Sequence, residues 1–156
     1  PQRFDEVQQL LEAAGLRVSR RSQWREAPQH ADVWLGASLG ELALYYGLAD
    51  VALLGGSFAP LGGQNLIEAI ACGCPVVLGP HTFNFAEAAA LACEQGVAHR
   101  VADIGQGVQQ ACDLATNAPR LAAARGLTQD FTLQHRGAAR LTATAIRALL
   151  GIPATP

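Results

Sequence analysis

Two short runs, Asp50-Val51-Ala52-Leu53-Leu54 and Pro75-Val76-Val77-Leu78-Gly79, are apolar at almost every interior position. A strand with one wet face alternates polar and apolar residues, whereas an unbroken apolar run of strand length needs cover on both faces. That points to a parallel sheet held between helices. The surrounding segments agree. Phe4, Val7, Leu10 and Leu11 fall at helical spacing between Arg3 and Ala14, predicting a helix with one buried face and Gly15 as its stop. Leu16 to Arg20 and Asp32 to Gly36 read as strands, with a loop carrying Trp24 and Pro28 between them. Helices are expected over Leu39 to Gly47, Leu66 to Cys72 and Phe85 to Gln95, and a short strand over Val97 to Val101. Three more helices follow, at about Gly105 to Thr116, Pro119 to Gln134 and Arg136 to Leu150. Right-handed crossovers turn this alternation into an α/β, Rossmann-like parallel sheet with helices on both faces. The chain opens on a helix, so the expected domain, residues 1–150, lacks its first strand and carries a tail at 151–156.

The segment from Gly55 to Glu68 joins the first apolar run to a helix start through a loop dense in glycine. Glycine admits positive φ and lets a ligand approach the main chain, and the N-H groups of a helix start favour an anion. Ser38 to Glu41, Asn65 to Glu68 and Asn84 to Glu87 each have capping-box spacing. In a parallel sheet all three would gather at the carboxyl edge of the strands, where open α/β sheets bind ligands.

Composition narrows the function further. With 156 residues the chain suits one domain, and a net charge of -2 gives no footprint for binding nucleic acid. Cys72, Cys74, Cys93 and Cys112 sit among small apolar residues and read as buried thiols in a reducing compartment. Neither they nor His30, His99 and His135 have metal-ligand spacing. No stretch reaches the ~20 apolar residues of a membrane span. The sequence has no methionine and starts at Pro1, which reads as a piece of a longer protein.

Four motifs in order resemble one family. Gly40-Glu41-Leu42 with Tyr45-Tyr46, then Asp50-Val51-Ala52 to Gly56-Ser57, then Gly62-Gly63-Gln64-Asn65 to Glu68, and Gly79-Pro80-His81-Thr82-Phe83-Asn84-Phe85 look like the carboxyl-terminal domain of 3-deoxy-D-manno-octulosonic acid (Kdo) transferases. The last motif is the most distinctive, and the match covers about residues 1–105. The resemblance implies the carboxyl-terminal half of a GT-B glycosyltransferase, the half that binds CMP-Kdo. It also implies an upstream acceptor domain that is missing here and that carries the catalytic carboxylate and a membrane anchor. The full-length enzyme would then move Kdo to a lipid A precursor, in lipopolysaccharide biosynthesis, at the cytoplasmic face of the bacterial inner membrane. No metal or other cofactor is implied, and this chain alone is expected to be soluble and inactive. One departure stands out: these transferases commonly have Gly-Gly-His-Asn where this chain has Gly62-Gly63-Gln64-Asn65, and a glutamine cannot shuttle a proton as imidazole does.

The expected donor-binding residues are Leu39, Gly40, Glu41, Ser57, Gly62, Gly63, Gln64, Asn65 and Glu68, with Arg3, His81 and Asn84 lining the cleft. Main-chain amides from Gly62 to Asn65 would meet anionic oxygens, and Leu39-Gly40 would hold the cytosine while Glu41 anchors that loop. Several residues have a plainer reading as well. Glu68 and Asn65 are spaced to cap a helix whatever the protein does, Ser57 fits a simple turn, Asn84 fits a helix cap, and His81 fits a hydrogen-bonder better than a base. Two other functions share the pattern: the donor domain of a UDP-sugar GT-B transferase or epimerase, and a noncatalytic nucleotide-binding module.

Overall fold

The structure, a computed structural model, describes residues 3–25, 30–135 and 137–151. The loop around Pro28 and the tail from residue 152 onward lie outside the described residues. The chain divides into two compact units, residues 1–42 and 43–156, and each is described by itself.

In the first unit a helix, α1 (Phe4–Ala13), precedes two short parallel strands, β1 (Val18–Arg20) and β2 (Val33–Leu35). Their register pairs Val18 with Val33 and Arg20 with Leu35. The strands are fastened where they begin. The Arg17 guanidinium meets Asp32 at 2.7 and 2.9 Å, and the Arg17 backbone N-H donates to the same carboxylate at 2.9 Å. These bonds hold the Asp32 carboxyl well below the usual carboxylate range. Trp24 packs edge-on against Trp34 with ring centroids 5.7 Å apart, and its indole N-H donates to Ser19 Oγ at 2.7 Å. The buried face expected of α1 is not formed. No residue of that helix is buried, and Leu10 is 62% exposed. A sheet of two three-residue strands has too little surface to cover a helix of ten residues.

The second unit contains the buried sheet. Strands β3 (Ala52–Leu54), β4 (Val76–Leu78) and β5 (Ala98–Arg100) lie side by side in that order, all parallel, in register Ala52-Val76-Ala98. Helices α2 (Leu42–Leu48), α3 (Leu66–Ala71), α4 (Ala86–Glu94), α5 (Ile104–Ala115), α6 (Ala118–His135) and α7 (Ala138–Leu149) complete the chain. The parallel pairing is as expected, but it is divided between a two-stranded and a three-stranded sheet.

Alternate residues of the apolar runs go to opposite faces, which explains why the runs are continuous. Leu54, Val76 and Leu78 pack in one cluster with Leu66 and Ile70 of α3 and Ala89 of α4. Leu53 and its register partner Val77 point the other way, toward α5. There Gly107 lets the helix approach closely. A methyl group on it would lie 2.8 Å from Phe58 Cζ and 3.1 Å from Leu53 Cδ1. Helices therefore cover both faces of the three-stranded sheet. Among the described residues, no helix is long and apolar enough to cross a membrane.

Of the four free thiols only Cys74 is fully buried; Cys72 and Cys93 are half-buried, and Cys112 is exposed, contrary to the expectation that all would be interior. Cys112 sits five residues after Gly107 on α5, well off the stripe through Gly107 and Leu114 that the helix buries. Burial pushes the Cys74 thiol up to about 11. Alkylation at pH 8 followed by peptide mass mapping is therefore expected to label Cys112 readily and Cys74 only after unfolding. Gly107→Ala is expected to lower the urea midpoint: overpacking costs about 1–3 kcal/mol, more than the roughly 1 kcal/mol that alanine gains over glycine in a helix.

Candidate functional site

The carboxyl ends of β3 and β4 are joined by one hydroxyl. After Leu54 the chain enters a single 3-10 turn, Gly55–Ser57. Ser57 Oγ donates to the Leu54 carbonyl at 2.6 Å and accepts the Gly79 N-H at 2.7 Å, and the His81 N-H donates to the Ser57 carbonyl at 3.0 Å. The backbones come so close that a Cβ on Gly79 would lie 2.5 Å from the Ser57 carbonyl oxygen. Ser57 is 0% exposed. Its hydroxyl is engaged within the fold on both sides, in keeping with the turn reading of Ser57.

The glycine loop follows. Gly62 and Gly63 take φ of +87° and +82°, conformations that other residues avoid. Asn84 holds the loop from a segment 23 residues away in sequence: its Nδ2 donates to the Leu61 carbonyl at 3.2 Å, and its backbone N-H donates to the Gly62 carbonyl at 3.1 Å. Gly62 is buried beneath it, and any Cβ there would lie 2.3 Å from Asn84 Nδ2. Asn84 is thus not a helix cap. It sits inside the 3-10 turn Phe83–Phe85, while α4 begins at Ala86 without a side-chain cap. An open depression of about 430 Å³ lies over this turn, lined by Phe83, Asn84, Phe85, Ala86, Glu87 and Ala88.

Across the loop the Gly63 N-H donates to the Gly56 carbonyl and the Gly56 N-H donates to Gln64 Oε1, both at 3.3 Å. This corrects the expected run of anion-binding amides. Gly62 is buried and the N-H of Gly63 turns inward, so both glycines shape the loop. Gln64 and Asn65, which follow, are exposed. Asn65 caps α3 as the sequence suggested, its Oδ1 accepting the Ile67 N-H at 3.2 Å. Glu68, one turn into α3, is half-buried, and its charge helps burial raise the pKa of Tyr46. His81 is half-buried at the same strand end.

Leu39, Gly40 and Glu41 belong to the first unit. Gly40 has φ of +79° and Leu39 is 88% exposed. Helix α2 starts at Leu42 rather than at Leu39, so Ser38 and Glu41 both precede it. Ser38 Oγ donates to the Glu41 carboxylate, which also meets Arg21 at 2.7 Å. Glu41 thereby secures the turn that presents Leu39 and Gly40 to solvent. Arg3, at the start of α1, forms an ion pair with Glu6 at 2.9 Å and its side chain is 76% exposed.

Sequence reading missed the tie from Asn84 to the loop, the Gln64 contact with Gly56, and the approach of Ser57 to Gly79. Only the last left a local signal, a glycine at the end of an apolar run. Asn84→Asp keeps the shape and removes the Nδ2 donor. It is expected to cost about 1 kcal/mol and to speed hydrogen exchange at the Gly63 N-H, as read by NMR.

No family model matches the chain. A 3-deoxy-D-manno-octulosonic acid transferase of Bordetella pertussis is 49% identical over 152 residues, which is 97% of this chain and 36% of that protein. The Haemophilus influenzae transferase of the same name is 44% identical over 87 residues, 56% of this chain and 20% of that protein. The chain thus spans about a third or less of the length of these relatives. Among solved structures, the C-terminal CMP-Kdo binding domain of WaaA from Acinetobacter baumannii superposes with a TM-score of 0.77 at 29% identity. That match covers 83% of this chain and 68% of the other. Its Rossmann-like arrangement, the carboxyl-terminal half of a GT-B fold, is the one expected from the sequence. By sequence along nearly its whole length and by fold, the chain is a homologue of the carboxyl-terminal domain of Kdo transferases.

Proposed function

We propose that this chain is the part of a glycosyltransferase that binds the activated sugar donor, CMP-Kdo. The observation that carries this reading is the superposition on a CMP-Kdo binding domain over 83% of the chain. CMP-Kdo presents a phosphodiester, a sugar carboxylate, ribose hydroxyls and a flat base. Gln64, Asn65 and the first turn of α3 supply hydrogen-bond donors, and Glu68 supplies an acceptor for ribose hydroxyls. When the sugar departs, negative charge gathers on the CMP phosphate, and fixed donors there lower the barrier without having to reorganise.

In the whole protein this domain works with an upstream domain that supplies the acceptor site and the catalytic carboxylate. The reaction it serves is transfer of Kdo to a lipid A precursor at the cytoplasmic face of the bacterial inner membrane. Alone, the chain binds donor and does not turn over.

Calorimetric titration of the chain with CMP, UMP and UDP tests the reading. Binding of CMP in preference to both uridine nucleotides is expected. Glu68→Ala is expected to weaken CMP about tenfold or more, as for loss of a hydrogen bond to a charged group worth about 1.5–3 kcal/mol. A preference for uridine nucleotides, or no nucleotide binding at all, would overturn it.

A further inference from the structure

We infer that Gln64 is a phosphate-positioning residue, its carboxamide fixed by Gly56 so that its NH2 group faces outward as a neutral donor to a phosphodiester oxygen. This rests on the reading of the chain as a nucleotide-sugar donor domain and deepens it.

The orientation follows from donor and acceptor chemistry. The Gly56 N-H meets Gln64 Oε1 at 3.3 Å, and only the oxygen end of a carboxamide accepts a hydrogen bond. The nitrogen, with two hydrogens, is then the end left for a ligand. Gly56 also fixes where the side chain lies. A Cβ at position 56 would be 3.3 Å from Gln64 Cδ and 3.5 Å from its Cγ, so the glutamine lies across a position that has no side chain.

The main chain holds the same place. The Gly56 carbonyl accepts the Gly63 N-H at 3.3 Å, so Gly56 is bonded through both its polar groups to two consecutive residues of the loop. Gln64 itself is exposed. It stands directly before Asn65, whose carboxamide caps α3. An outward amide at the exposed end of the loop suits a compact anion. Because the amide is uncharged, it can hold a phosphate without offering a proton to the departing group.

The role separates cleanly from simple loop support. Gln64→Glu keeps an oxygen to accept the Gly56 N-H and replaces the outward NH2 with a second, negatively charged oxygen. The probe is the methyl ester of CMP, which keeps one phosphate charge, with cytidine as the control that lacks phosphate. Gln64→Glu is expected to retain the wild-type melting temperature and cytidine affinity while binding the ester at least tenfold more weakly. Gln64→Met, which loses the donor but adds no charge, is expected to fall between the two. Equal ester binding by wild type and Gln64→Glu would overturn the inference and leave the donor-domain reading standing. A matching loss for cytidine would also overturn it, since the residue would then act through the fold. A wild-type chain that binds neither probe would sink the donor-domain reading itself, and the role of Gln64 with it.

Discussion

The contact between Ser57 and Gly79 is the constraint on which the site depends. One buried hydroxyl bonds both to the end of β3 and to the residue after β4, and the space between those backbones has no room for a methyl group. Parallel strands share no hairpin to set their relative height, because each is followed by a crossover helix. Here a side chain does that work at the carboxyl edge. Everything beyond it inherits the alignment, including the glycine loop that leaves β3 and the 3-10 turn that leaves β4. A buried polar group is costly unless satisfied, and Ser57 is satisfied from both sides, so the contact stabilises the structure and also selects one register.

From that edge the loop is built by carboxamides rather than by charges. Asn84 ties the carbonyl side of the loop, Gln64 lies over Gly56, and Asn65 caps the helix that follows. The Leu61 and Gly62 carbonyl oxygens are engaged by Asn84. Ion pairs do appear elsewhere in this unit, for example Arg125 with Asp50 at 2.8 Å, where they serve the fold.

Much of this was legible in the residues. The two apolar runs predicted the buried strands because each face of the sheet has its own helices, and glycine spacing marked where helices stop. The resemblance of the four motifs was borne out by relatives and by a solved structure. Other features could not be read. The bond from Asn84 to Leu61 crosses 23 residues, and no local pattern encodes it; the capping-box spacing of Asn84 and Glu87 pointed instead to a cap that does not form. The Ser38 to Glu41 spacing did place those two side chains together, but nothing local announced that Arg21 meets the other oxygen of the same carboxylate. Cys112 was misjudged for another reason. Composition suggested burial, whereas helical phase places it away from the stripe that α5 buries.

The ring of Phe58 carries a longer consequence. It stands 2.8 Å from where a side chain on Gly79 would begin and 2.8 Å from where one on Gly107 would begin. A single aromatic therefore plugs two notches, one at the strand edge and one on α5. The two notches differ in what walls them: side chains alone crowd Gly107, whereas the Ser57 backbone also closes the space at Gly79. A smaller residue at 58 would therefore make room on α5 but none at the strand edge, so among natural relatives position 107 should drift with position 58 while position 79 stays glycine.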